Sequence, residues 1–148
     1  MQILGNGVDI VENSRIKKLI SNKNFLRRIY TSSEIKFSKK NKDNVKFFAK
    51  RFAAKEAFVK AIGTGFREGI NFNDISVRNK NSGKPEIYLN DKIKKKLKEK
   101  FKLKKFKIFL SLSDEKKYSI AYVVINKIKW LLKLLYRRTL KPYFTPLS

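Results

Sequence analysis

The stretch from Val45 to Ile62, VKFFAKRFAAKEAFVKAI, constrains this chain more than any other. Wound at 3.6 residues per turn, it spreads Phe47, Phe48, Phe52, Ala53, Ala57, Phe58, Ala61 and Ile62 around an apolar surface too wide for a helix lying on the outside of a domain. The helix must therefore be largely buried, and the rest of the chain has to cover it. Gly63 ends it at the head of a glycine-rich turn, GTGFREG. At 148 residues without a cysteine, the covering layers form one domain that needs no disulfide to hold a core.

The flanking segments read as strands and shorter helices. Ile3 to Val11 is expected as a first strand. A helix over ENSRIKKLISNKNFLRRIY is expected next, with Ile16, Leu19 and Ile20 on one face and Asn13 or Ser14 as its N-cap. Thr31 and Glu34 have capping-box spacing and announce another short helix, and Lys39 to Asn44 reads as a surface loop. INFNDISVRN and GKPEIYL read as two strands joined by a turn. DKIKKKLKEKF is a surface helix with Ile93, Leu97 and Phe101 as its apolar stripe, and FKIFLSLS and YSIAYVVI are two further strands. Strand, helices, strands, helix, strands implies an α+β domain over residues 1–126, an antiparallel sheet packed on the long central helix. Residues 127–148 form a basic amphipathic tail in which Trp130 and several leucines alternate with Lys129, Lys133, Arg137 and Arg138. A helix lying on an anionic membrane and a helix packed on the domain or on a neighbouring subunit both fit it.

The absence of histidine and cysteine excludes a Ser-His-Asp triad, a cysteine nucleophile and Cys/His zinc ligation. A formal charge of +25 implies an anionic partner, whether nucleic acid, membrane, acidic protein or a phosphate-rich small molecule. Many of the lysines are also consistent with a solvated surface. The N-terminus has no signal-peptide pattern and no apolar run reaches the roughly 18 residues that span a bilayer, so a cytoplasmic location is expected.

Two carboxylates stand where an unpaired charge is costly. Asp9 interrupts the apolar first strand, and Glu56 sits on the crowded central helix. Singly, Asp9 reads as a sheet-edge or capping residue and Glu56 as the partner of Lys60 at i, i+4. Together they suggest a hard-metal site, since magnesium is commonly held by one or two carboxylates with phosphates and water completing its octahedron. Arg51, Lys55 and Lys60 project from the same helix, which runs into Gly63 and Gly65. Acids for a metal beside bases and glycines for phosphate are the equipment of phosphoryl-group transfer.

GVDIVENSRI, RFAAKEAFVKAIGTG, GKPEIYL and SLSDEKKYSIAYVV occur in the order and spacing of the holo-acyl-carrier-protein synthases, the bacterial 4′-phosphopantetheinyl transferases, and the resemblance covers residues 1 to 126. It implies that fold, with magnesium on Asp9 and Glu56. It implies that coenzyme A is held at Arg51, Lys55, Lys60, Gly63, Gly65, Lys84, Pro85 and Ser113, and that an acidic acyl carrier protein meets Arg15 and Arg28. It also implies a homotrimer with sites between subunits. A serine of the carrier protein would attack the β-phosphorus of coenzyme A and release adenosine 3′,5′-bisphosphate. Lys60 would add fixed positive charge; Glu56, or a water it orients on the metal, would be the available base, and Asp9 would chiefly hold the ion. The chain departs from the family at Asp114, where Ser-x-Ser is usually followed by histidine. Weaker coenzyme A binding is expected there unless Lys116 or Lys117 compensates. The rival readings are a salt-sensitive nucleic-acid binder, favoured by the lysines between Lys92 and Lys107, and a membrane-associated scaffold driven by the tail.

Overall fold

The computed structural model describes residues 2–128. Its elements run β1 (Gln2–Glu12), α1 (Asn13–Leu19), α2 (Lys23–Ile29), α3 (Ser32–Ser38), α4 (Asn44–Ile62), a 3₁₀ turn (Phe72–Asp74), β2 (Ile75–Asn79), β3 (Pro85–Leu89), α5 (Asp91–Lys100), β4 (Phe106–Asp114) and β5 (Tyr118–Lys127). The α+β reading holds, and the antiparallel strands divide into two sheets, one of three strands ordered β1-β5-β4 and a β2-β3 pair. The expected tail lies outside the described residues, apart from Lys127, which ends β5, and Ile128. No helix among the described residues is long and apolar enough to cross a membrane.

As its composition requires, α4 is the core. Phe47, Phe48, Ala53, Ala54, Ala57, Phe58, Val59, Ala61 and Ile62 are buried. Asp43 caps its start by accepting from the Lys46 amide, and its end turns left-handed at Gly63, φ 74°, whose N–H reaches the Lys60 and Val59 carbonyls. One face of the three-stranded sheet lies on this helix and buries Val11, Ala121, Val123 and Ile125.

The contact between β1 and α4 is made by backbone. A Cβ on Gly5 would stand 1.9 Å from the Ala61 carbonyl oxygen, and one on Gly7 2.0 Å from that of Ala57. The missing side chains in GNGVDIVE and the alanines of AAKEAFVKA let strand and helix touch directly. Alternation then sends Asp9 to the helix side, after Gly5 and Gly7, while Val8 and Ile10 point away and remain 54% and 58% exposed.

Two expectations are corrected. The single helix after β1 is two, broken at Ser21 and Asn22. Asn22 caps the second by accepting from the Asn24 and Phe25 amides, whereas α1 has no side-chain cap. Asn13 is occupied elsewhere: its amide donates to the Glu115 and Lys116 carbonyls and its Oδ1 accepts from Ser119 Oγ at 2.7 Å, tying α1 to the β4–β5 turn. The strand expected to begin at Ile70 starts only at Ile75, because Asp74 folds back onto the Asn71 amide at 2.9 Å and makes a 3₁₀ turn of Phe72–Asp74.

Candidate active site

The close packing of β1 on α4 sets the first group of polar side chains. Lys60 reaches across from α4, and its ammonium donates to Asp9 Oδ1 at 2.7 Å and to the Val8 carbonyl at 3.2 Å. The i, i+4 partnership of Lys60 with Glu56 is thus replaced by a bond from helix to strand. Glu56 lies one turn earlier on the same face, half-buried. Its pKa is raised, first by desolvation and then by the nearby charge of Asp9, while Lys60 and Arg15 pull it back. Asp9, Glu56, Lys60 and Arg15 therefore share one electrostatic neighbourhood, drawn from β1, α4 and α1. Gly63 and Gly65 follow at the end of α4 with φ of 74° and 60°, and open space stands where their side chains would be.

This neighbourhood fits a divalent cation. The charge of Asp9 adds to the cost of ionising Glu56, which a cation between them would remove, and two protein carboxylates are an ordinary magnesium donor set. Among the described residues no cluster of three or more acidic, histidine or cysteine side chains exists, so other ligands would have to come from phosphate and water.

A second group surrounds a cavity of about 390 Å³ at the other end of α4, lined by Lys46, Lys50, Arg51, Asn79, Pro85 and Asp114 among others. Arg51 is buried over the Phe47 ring, 3.5 Å from its centroid, and donates to Asn79 Oδ1 at 3.0 Å. Its Nε is buried without a hydrogen-bond partner, and desolvation pushes its pKa down to about 10. Asp114 carries two ion pairs, with Lys50 at 2.5 Å and Lys46 at 3.3 Å. Lys46 and Lys50 thus take up the acid at this position. Neither was singled out in the sequence, because a pair between positions 50 and 114 leaves no local pattern.

A family model for the 4′-phosphopantetheinyl transferase superfamily matches residues 5–123. The chain belongs to that superfamily. A holo-[acyl-carrier-protein] synthase from Pelagibacter ubique is 59% identical over 127 residues, covering 86% of this chain and 99% of that protein. One from Ehrlichia chaffeensis is 48% identical over 128 residues, 83% of this chain and 96% of the other. The crystal structure of the holo-[acyl-carrier-protein] synthase from Neisseria meningitidis superimposes with a TM-score of 0.78 at 38% identity, over 85% of this chain and 100% of that one. The enzyme from Bacillus anthracis, solved in complex with CoA (3′,5′-ADP), gives 0.72 at 35% identity over 86% and 100%.

Against the residues expected from this superfamily, the structure sorts as follows. Asp9, Glu56 and Lys60 come together with Arg15. Arg51 and Pro85 line the second cavity, while Lys84 is exposed just before β3. Ser113 is exposed on the sheet face turned away from α4, opposite Ile120. Arg28 is exposed on α2, apart from these groups. Lys55 does not face a ligand: it is wholly buried, its ammonium bonded to Glu34 Oε2 at 2.8 Å and to the Ile29 carbonyl at 2.7 Å. Helical spacing placed it beside Glu56, but on a helix covered on nearly every side the neighbouring face is interior too.

Proposed function

We propose that this chain transfers 4′-phosphopantetheine from coenzyme A to a serine of an apo acyl carrier protein in a magnesium-dependent reaction, releasing adenosine 3′,5′-bisphosphate. The observation that carries this reading is the meeting of Asp9, Glu56 and Lys60 across the glycine-lined contact of β1 and α4. Asp9 and Glu56 would hold the ion, which when bound neutralises charge on the diphosphate.

Lys60 is the mobile cation of the group. Its side chain is about half exposed while that of Asp9 is largely covered, so it can turn from the carboxylate toward phosphate oxygens on which negative charge accumulates. Glu56, or a water it orients, would be the available base for the serine proton. Arg15, exposed on α1 with Lys17 and Lys18, offers positive charge to an acidic protein beside the reacting groups, and Arg28 extends that surface.

A homotrimer belongs to the same reading. Val8, Ile10, Ile120 and Tyr122 form an exposed apolar patch on the outer face of the sheet, between 39% and 58% accessible, which a second copy of the chain would cover. The Asp9 and Arg51 groups sit toward opposite ends of α4, about 13 Å apart along its axis from Arg51 to Lys60. A neighbouring copy could bring its own cavity to the acid pair.

Mixing the protein with coenzyme A, magnesium and apo acyl carrier protein should produce the phosphopantetheine adduct by mass spectrometry, and chelation should abolish it. No adduct at any magnesium concentration would overturn the reading. A polyanion binder would instead show salt-sensitive, magnesium-independent retention.

A further inference from the structure

A groove apart from these residues opens where the two sheets meet. β3 is the outer strand of one sheet and β4 the outer strand of the other, and between them lies a groove of about 420 Å³ with an aliphatic floor of Ile87, Leu89, Ile108 and Ile128. Its rim is cationic, with Lys94, Lys98, Lys104 and Lys107 along it. Glu86 is the acid that lines it, and Lys80 takes that carboxylate at 2.8 Å. Between Lys92 and Lys107 the sequence holds ten lysines and one glutamate. Of these, Lys92 and Lys96 donate to the Gly69 and Glu68 carbonyls, while Lys94 and Lys95 pair with Asp91 and Glu99 on α5. Lys98, Lys104 and Lys107 are exposed and form no ion pair among the described residues, so the rim keeps a net positive field.

We infer that this groove and its lysine rim dock on a membrane surface carrying anionic headgroups. The occupant follows from charge and floor together. The chain's own tail is excluded by charge, because residues 129–148 contain three lysines, two arginines and no acid. Nucleic acid would ask for a row of open aromatic faces on which successive bases stack, whereas the groove offers two rings among mostly aliphatic side chains, Phe106, which is half-buried, and Tyr88, one face of which Arg78 approaches at 4.9 Å. A lipid boundary meets both requirements, with phosphate at the rim and hydrocarbon at the strip. The same chemistry continues past the groove, since Ile128 leads directly into KWLLKLLYRR. This inference does not depend on the transferase reading.

Flotation of the full-length protein with phosphatidylcholine vesicles, with and without phosphatidylglycerol, tests it. The protein should partition onto the anionic vesicles only, and less as salt rises. A lysine close to an anionic surface contributes about fivefold in affinity, so the Lys98→Glu, Lys104→Glu, Lys107→Glu variant should lose on the order of 100-fold in partition. Its thermal melt and its activity in solution should match the parent, and Ile128→Ser should weaken partition severalfold. Equal binding to neutral vesicles, a triple variant that partitions like the parent, insensitivity to Ile128→Ser, or displacement from vesicles by single-stranded nucleic acid would each overturn it.

Discussion

A half-buried carboxylate beside another carboxylate costs stability when it is charged, and Glu56 is in that position. Its folded-state pKa lies above the unfolded value. Between the two the folded chain holds more protons, so stability falls as pH rises, and above both the cost is complete. Glu56→Gln should therefore raise the Tm of the metal-free protein at pH 7, with the gain shrinking as pH is lowered into the ordinary carboxylate range. Magnesium should raise the Tm of the parent and not of the variant, while turnover falls by about 10² or more. A Tm that drops on substitution would mean that the carboxylate is held by partners and is not poised for a cation. Asp114 presents the opposite sign. Its hydrogen bond with Lys50, joined by Lys46, holds its pKa below the usual carboxylate range. That stabilisation is present above the unfolded pKa and is lost as pH falls through the folded one, and for so accessible a cluster it is worth less than about 1 kcal/mol. The acid also occupies two ammonium groups that would otherwise meet phosphate. Asp114→Asn should lower KM for coenzyme A severalfold with a smaller change in kcat, measured by initial rates at saturating carrier protein.

At the scale of elements, the β1–α4 contact and the α3–α4–β2 junction do most to hold the site. Gly7→Ala places a methyl 2.0 Å from the Ala57 carbonyl oxygen, and backbone on both sides leaves nothing flexible to yield. Helix and strand must separate, at a cost of about 1–3 kcal/mol, and the 2.7 Å bond from Lys60 to Asp9 is stretched with them. Gly63→Ala, strained at φ 74° but free of any neighbour, should cost about 1 kcal/mol and leave that bond in place. Comparing thermal melts and turnover of the two variants separates strain from displacement. The junction rests on Glu34, whose carboxylate accepts from the Thr31 and Val77 amides at 2.8 and 3.0 Å and from Lys55. Glu34→Ala would strand a buried ammonium and should cost about 3–5 kcal/mol by denaturant unfolding. These two junctions also show what could be read in the sequence. The Thr31–Glu34 capping box was legible because its partners are three residues apart. The pairing of Glu34 with Lys55 was not, since apolar periodicity marks α4 as covered without saying which polar side chain is turned inward. The same limit applies to Asp9 and Glu56: as two costly acids they suggest a metal site in the sequence, but no local pattern shows their approach, because the strand–helix contact depends on glycines whose partners lie fifty or more positions away.

For the whole molecule, the arrangement on α4 makes the assembly itself testable. One chain carries an acid pair near one end of the helix and an arginine-lined cavity near the other, with an uncovered apolar sheet face beside the acids. Val8, Ile10, Ile120 and Tyr122 belong to apolar segments that read as strands, but a strand buried in a core and one buried against another copy have the same composition, so only the fold assigns these side chains to the outer face. If that face joins copies of the chain, Ile10→Lys should shift the species seen by sedimentation from trimer to monomer and remove activity with it, because a buried unpaired ammonium would be left in the interface. The stronger consequence concerns mixing. Glu56→Gln disables one half-site and Arg51→Ala the other, so each homotrimer should be inactive. If each site joins the acids of one chain to the cavity of the next, random trimers formed from equal amounts of the two variants contain an intact combination at about a quarter of their interfaces. Turnover should then rise toward about a quarter of the parental rate after the mixture is dissociated and reassembled. If both halves of a site come from the same chain, no mixed trimer contains a whole one, and the reassembled mixture would stay as inactive as its components.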